Sequence, residues 1–340
     1  MKATINIRSV SEMAKGQGVD SAFKEHFALL KKSSLFEAFK NDSKIHDILH
    51  VHTFDLRSYF MIKKHKKKGK KVVVSCHVMP DSLEGSLKIP KIFLKFLIKY
   101  MIRFYSSADR LVVVNSFYKE ELQRLGLPRE KVFYIPNYVA REVFRDCERD
   151  VKHAIRQSLN IEKDAFVVVG AGQVQKRKGI DDFVETAQKC PQYRFIWVGG
   201  FSFGKITDGY EKYKKILENP PKNLLFTGIV DREKVAEYFQ ASDILFLPSY
   251  QELFPMTVLE AANCHLPLLL RDIELYEEIL MNKYVSGHDS AEFASLIHQL
   301  KKDQEFYTST KQKSIELSEY YSEKNVLRLW ESFYSDLMND

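Results

Sequence analysis

The sequence predicts two doubly wound α/β domains, and three observations carry that reading. Short apolar, β-branched runs of parallel-sheet length alternate with segments of helical length along the chain. The rhythm pauses once, over the charged stretch 141–150 that follows Pro136, and then restarts. At 340 residues the chain is too long for one ordinary core, so two domains of similar size are expected.

In the front half, residues 3–10, 48–52, 71–76, 110–115 and 132–135 read as strands. A helix near 151–158 opens the second half, whose strands are read at 166–170, 193–198, 224–227, 244–247 and 266–270. The last segment, from Tyr320 through Trp330 and Phe333 to Leu337, is an amphipathic helix with no strand after it. There is no internal repeat at a solenoid period.

Composition narrows the class. Hydrophobic residues at 45% and charged residues at 29% describe a globular, soluble chain rather than a disordered one. Cys76, Cys147, Cys190 and Cys264 are far apart with no C-x-x-C pair, which argues against a metal site and a disulfide framework and fits a reducing cytosol. Residues 1–7 read as a first strand, not as an export signal, and no long apolar window is free of charge, so no membrane span is expected. The net charge of +7 hides an asymmetry: residues 1–150 hold 29 Lys+Arg against 17 Asp+Glu, giving +12, and residues 151–340 hold 23 against 28, giving −5. Such a split points the front half toward an anionic surface, nucleic acid or acidic lipid.

In open α/β sheets ligands sit beyond the carboxyl ends of the strands, where the unusual residues are expected to gather on one rim. Gly16-Gln17-Gly18 follows the first strand, as either a phosphate loop or an ordinary tight turn. His50, His52 and His77 fall at strand ends, where a histidine is more often a hydrogen-bond partner than a ligand. Gly170-Ala171-Gly172 leads to Lys176-Arg177-Lys178-Gly179, basic residues that either neutralise a diphosphate or form a solvated turn. Asp243 and Pro248-Ser249 bracket the strand that delivers Glu252.

The most informative stretch is Glu252 to Glu260, E-L-F-P-M-T-V-L-E. Pro255 predicts a helix start, because its missing N–H would be unpaired there anyway. The first N–H groups, near Met256 and Thr257, then suit an anion. Carboxylates on the loop and in the helix could accept from sugar hydroxyls on either side of it. Two Glu residues at this distance also arise by chance, so the pair alone does not settle the matter.

Residues 86–106 place Lys91, Lys95, Lys99 and Arg103 every four residues along one helical face, beside a wide aliphatic and aromatic surface. An interfacial helix has this pattern, and so does a core helix that turns its lysines outward. A second basic run covers residues 63–71. Together they favour anionic lipid over nucleic acid, because the aromatics are flanked by aliphatics instead of forming a stacking platform.

The stretch 243–267, with the glycine loop, H-V-H at 50–52, His77, V-N-S at 114–116, I-P-N at 135–137 and K-R-K-G at 176–179, resembles the retaining glycosyltransferase family of GT-B fold that includes bacterial phosphatidylinositol mannosyltransferases and diacylglycerol glycosyltransferases. The resemblance spans nearly the whole chain and is strongest for the Gram-positive synthases that add a second hexose to glucosyl-diacylglycerol, on the route to the lipoteichoic acid anchor. It implies two Rossmann-like domains facing a central cleft: an acceptor- and membrane-binding domain, 1–144, joined by a returning helix at 322–340, and a nucleotide-sugar domain, 145–321. It implies UDP-galactose or UDP-glucose as donor, a glycolipid acceptor, no required cofactor or metal, and a peripheral place on the cytoplasmic face of the membrane. Glu252 would bind a donor-sugar hydroxyl, Glu260 the ribose, and Arg177 and Lys178 the diphosphate. Gly16, Gly18 and Gln173 would approach that diphosphate with the turn Phe254, Pro255, Met256 and Thr257, and His77 would contact the hexose. The chain departs from the family pattern at Gln173, where Arg is common, at 137–140, and at His265, where Gly is usual. The competing readings are a same-fold transferase with a polysaccharide or other non-diacylglycerol acceptor, and a non-catalytic GT-B partner.

Overall fold

The computed structural model describes residues 2–10, 18–80, 91–202, 204, 207 and 209–340. Two compact units emerge, one of residues 1–138 with 321–340, the other of residues 139–320.

The first unit runs β1 (Ala3–Arg8), α1 (Gly18–Leu30), β2 (Phe36–Lys40), β3 (Ile48–Val51), α2 (Leu56–Lys67), β4 (Lys71–Ser75), α3 (Lys91–Ser106), β5 (Arg110–Val113), α4 (Phe117–Arg124) and β6 (Val132–Tyr134). Its six strands are parallel, in the order β2-β1-β3-β4-β5-β6. The strands are apolar on both faces because helices cover both, and Ile5, Ile7, Ile48, Leu49, Val72 and Val73 are fully buried.

The second unit runs α5 (Arg149–Ser158), β7 (Val167–Ala171), α6 (Ile180–Lys189), β8 (Arg194–Val198), α7 (Tyr210–Glu218), β9 (Leu224–Phe226), α8 (Arg232–Ala241), β10 (Ile244–Leu247), α9 (Met256–Asn263), β11 (Leu268–Arg271), α10 (Glu274–Leu280), β12 (Val285–Gly287), α11 (Ser290–Lys302) and α12 (Gln304–Tyr320). The parallel order is β12-β11-β10-β7-β8-β9. The chain then returns to the first unit as α13 (Glu323–Asn339), which buries Val326, Trp330, Phe333, Tyr334 and Leu337.

Each order reverses once, beside the first strand of its sheet: between β1 and β3 in the first unit, and between β7 and β10 in the second. A crevice opens where the connections leave in opposite directions, so the loops after β7 and β10 meet there. These are the loops that carry Lys178 and Glu252. Asp243 does not belong with them, contrary to expectation. It precedes β10, at the amino end of the strand, where it accepts from Arg156, Lys152 and the Val167 N–H at 2.7–2.8 Å. Its work is to tie α5 to the sheet.

Candidate active site

Lys178 closes a short 3-10 turn and reaches its position because Gly179 ends that turn with φ at +70°. A Cβ at Gly179 would stand 2.1 Å from the Pro248 carbonyl oxygen, so only glycine lets this loop lie against the end of β10. The Lys178 stem packs over Gly172, and its ammonium meets Glu252 Oε1 at 2.5 Å, with both side chains buried. Arg177 stands 4.0 Å from Glu252 Oε2 and stays partly exposed. Buried Gln175 accepts from Nε and Nη2 of Arg177, each at 3.0 Å, so the guanidinium is held in place.

Burial pushes the Glu252 carboxyl up, but the charges of Lys178 and Arg177 outweigh it and hold the group below the usual carboxylate range. At Lys178 burial prevails, and the ammonium is drawn below the ordinary lysine value despite Glu252 beside it. Lys178 and Glu252, read from the sequence as diphosphate- and sugar-binding residues, hold each other in place.

Pro255 is the N-cap of α9 and offers no capping side chain, so no cap occupies the N–H groups at Met256 and Thr257. Phe254, Pro255 and Met256 are buried, which fixes that turn, while Thr257 is half-buried. Glu260 lies further along α9, with Arg232 Nη2 within 4.0 Å. The Arg232 guanidinium in turn rests over the Phe144 ring. Gln173 is half-buried, and its side-chain amide lies 2.8 Å from that same Gln175 oxygen. Gln175 and Arg232 escaped the sequence reading, because nothing in their local pattern marks them. His265, the departure from glycine, adopts φ of +54° just past α9, with Nδ1 3.0 Å from Asp146.

In the first unit the strand period of two brings His50 and His52 to one face of β3, and Ser75 and His77 to the same face of β4. The register His50↔Val73 sets His50 diagonally against Ser75 and His52 against His77. His50 Nε2 is 2.8 Å from Ser75 Oγ, and His52 Nδ1 is 2.9 Å from His77 Nε2. His26 of α1 closes on His52 at 2.9 Å, while Trp330 of α13 stacks on the His26 ring at 4.0 Å between centroids. Tyr334 Oη bridges His50 Nδ1 at 2.6 Å and His26 Nε2 at 3.2 Å. Burial lowers all four imidazoles, His26 to about 3 and His77 to about 4, with further lowering at His26, His50 and His52 from their neighbours. His77, His52, Ser75, Glu25, Asn137 and Trp330 all face one small cavity. Gly18 opens α1, and Gly16 lies outside the described residues.

The outer face of this unit is different. Lys95, Lys99 and Arg103 of α3 are exposed, and so are Ile92, Phe93 and Phe96, while Leu94, Met101, Phe104 and Tyr105 are buried. Lys91 begins the helix, and its side chain lies outside the described residues. Neighbouring α2 adds exposed Leu56 and Phe60, and its Tyr59 packs on Tyr100 with Lys63 and Arg103 against it. No described helix is long and apolar enough to cross a membrane.

Residues 151–317 match the family described as Glycosyl transferases group 1, and residues 26–143 match Glycosyltransferase Family 4. The chain is 44% identical, over 98% of its length and 89% of the relative's, to the alpha-galactosylglucosyldiacylglycerol synthase of Streptococcus pneumoniae. It is 29% identical to the processive diacylglycerol alpha-glucosyltransferase of Acholeplasma laidlawii, over 85% of each chain. Among solved structures, Anabaena HepE in complex with UDP-glucose superposes with a TM-score of 0.75 at 16% identity, covering 98% of this chain and all of that one, a likeness of fold.

Proposed function

The chain belongs to the group 1 glycosyl transferases of GT-B fold, and from that membership we propose that it moves galactose or glucose from a UDP-sugar to a glycolipid, glucosyl-diacylglycerol, with retention at the anomeric carbon. The product would serve glycolipid and lipoteichoic acid anchor synthesis. One observation supports the donor half above others: the Lys178–Glu252 pair, Arg177 and the uncapped start of α9 converge at the switch point of the second sheet. Charge builds on the diphosphate as the bond from C1 breaks, and preorganised cations and N–H groups stabilise it without having to reorient. Glu252 keeps Lys178 aimed and offers its remaining lone pairs to a sugar hydroxyl. Glu260 takes the ribose hydroxyls, and His77 takes the hexose. Because both acids serve donor binding, neither is a glycosidase-type nucleophile.

The acceptor half rests on the similarity to the pneumococcal synthase and on the outer face of α2 and α3. Exposed aromatics beside a basic stripe suit the headgroup region of an anionic bilayer, which supports a peripheral position on the cytoplasmic face. Incubating the protein with UDP-galactose or UDP-glucose and vesicles of diacylglycerol or glucosyl-diacylglycerol tests the whole reading. The expected result is UDP release with a diglycosyl product from glucosyl-diacylglycerol. Transfer only to a water-soluble saccharide would overturn the acceptor, and failure to release UDP with any of these acceptors would overturn the donor chemistry.

A further inference from the structure

The histidines of the first unit form a single unbranched row. From one end it reads His77 Nε2 to His52 Nδ1 at 2.9 Å, His52 Nε2 to His26 Nδ1 at 2.9 Å and His26 Nε2 to Tyr334 Oη at 3.2 Å; it continues from Tyr334 Oη to His50 Nδ1 at 2.6 Å and ends with His50 Nε2 to Ser75 Oγ at 2.8 Å. Among the described residues, His77 Nδ1 is the one ring nitrogen of the four with no partner. His77 and Ser75, the two ends, face the same cavity.

Counting protons, with the burial of Tyr334, restricts this row to two states: a third, in which Tyr334 Oη accepts from both His26 and His50, would leave the buried phenol O–H without an acceptor among the described residues. Four neutral imidazoles, one phenol and one serine hydroxyl carry a single mobile proton each, one more than the number of links between them. Every link takes one proton and, with Tyr334 excluded, the surplus proton sits outward either on Ser75 Oγ or on His77 Nδ1. In the first state each group donates toward Ser75 and His77 Nδ1 is a bare base. In the second every hydrogen bond is reversed and His77 presents an N–H. Passing between the states carries a proton from one end to the other and leaves no imidazolium inside. That matters because burial and mutual repulsion keep these rings neutral. His26, His50 and His52 also offer nitrogens within 4.8 Å of one another, a spacing that a metal ion would accept. Each of those nitrogens is already hydrogen-bonded in the row.

We propose that Ser75, His50, Tyr334, His26, His52 and His77 are a proton relay, with His77 Nδ1 taking the proton that the acceptor hydroxyl loses during glycosyl transfer. The inference rests on the reading that a substrate sugar lies at His77. The bond between C1 and the diphosphate oxygen breaks, its electron pair leaves with the diphosphate, and the acceptor oxygen bonds to C1. The hydroxyl proton enters at His77 Nδ1, each hydrogen bond of the row reverses, and Ser75 releases its outward proton to water. The row resets when His77 Nδ1–H gives its proton to water and Ser75 takes one back. Glu25 of α1 is the carboxylate that faces the same cavity among the described residues. His77 is then a catalytic residue, and the other five are positioning and relay residues.

The test is a proton inventory of glycosyl transfer in mixtures of light and heavy water, on the unaltered chain and on two variants. Tyr334→Phe removes one hydroxyl from the middle of the row. His26→Gln keeps a donor and an acceptor but cannot pass a proton between them. The unaltered chain should give a curved inventory, with several protons in flight. Both variants should show kcat lower by about tenfold to a hundredfold, KM for donor and acceptor within about twofold, and a linear inventory. A linear inventory in the unaltered chain, or variants that lose thermal stability while kcat holds, would overturn the relay, as would one tightly held zinc ion on His26, His50 and His52. If a variant does not fold, the inventory of the unaltered chain still decides. Absence of transfer from either UDP-sugar would strike the functional reading itself, whereas transfer with a linear inventory strikes only the relay.

Discussion

The two units share a sheet architecture but handle charge in opposite ways at the carboxyl ends of their strands. The front half of the sequence carries +12, yet the rim of its sheet is a neutral row of imidazole, phenol and hydroxyl groups. The back half carries −5, yet its rim presents Lys178, Arg177 and Arg232, two of them beside Glu252 and one beside Glu260. The excess positive charge of the front half faces outward on α2 and α3 instead. Domain net charge here follows the outer surface and says little about the charge on the rim. The protonation chemistry differs for a simple reason. A buried histidine can shed its charge at modest cost, whereas a buried lysine and glutamate in contact stabilise each other as ions.

Breaking the charged rim should have the largest effect. Lys178→Met removes a cation from the proposed diphosphate site and strands Glu252, so turnover should fall by about a hundredfold to a thousandfold and stability by about 3–5 kcal/mol. Glu252→Gln should likewise lower both. The double variant Lys178→Met/Glu252→Gln should recover most of the stability, read as a urea midpoint, and none of the turnover. Recovery of turnover in the double variant would remove the pair from the chemistry.

The outward charge of the front half comes next. Replacing Lys91, Lys95, Lys99 and Arg103 by Ser should weaken partitioning onto anionic vesicles by on the order of a thousandfold, at about 1 kcal/mol per basic residue near the surface. Sedimentation with vesicles checks it, and unchanged binding would end the membrane reading. Replacing Phe93 and Phe96 by Ser sharpens it, since binding should then weaken in high salt as well as low.

The neutral rim should show itself in the pH dependence of stability. A histidine lowered in the folded state adds nothing above its unfolded value near 6.5, and costs stability as pH falls from there toward its folded value, because only the unfolded chain then takes up the proton. For His77, lowered to about 4, the window runs from roughly pH 6.5 down to that value. His77→Gln should flatten the loss by about 1.4 kcal/mol per pH unit, measured by chemical unfolding between about pH 6.5 and 5. An unchanged slope would mean that His77 charges in the folded protein. The smallest effect is local. His265→Gly relieves a left-handed backbone of about 1–2 kcal/mol, and should raise the thermal midpoint by a few degrees less whatever the Asp146 contact contributes.

Much of the fold was legible because buried parallel strands announce themselves as apolar runs. β10 is read at its observed bounds, and the start of α9 is marked by Pro255. The strands that escaped, β2 and β12, lie at the edges of their sheets, where half-exposed strands lose the continuous apolar signature. The rim was legible in its residue types and not in its connections. Lys178 and Glu252 are 74 positions apart, and nothing local says that they touch. His50, Ser75 and His77 could be seen at neighbouring strand ends, but His26 and Tyr334 enter the row only through packing of α1 and α13. Asp243 was misplaced because its nearness in sequence to the Glu252 loop hides the length of a strand between them.

That the first unit is closed by α13 has a consequence for how the protein is made. Residues up to 138 leave the ribosome long before Trp330 and Tyr334, which cover His26 and complete the row. At a synthesis rate of roughly 5–20 residues per second, the interval is roughly ten to forty seconds. Until then the nascent first unit holds an open aromatic seam and a discontinuous row, while the second unit has all its strands and can fold first. A chain cut short before α13 would carry the second unit's rim residues intact and an unfinished first unit, so prematurely terminated copies should be marked for chaperones and proteases by the seam they cannot close.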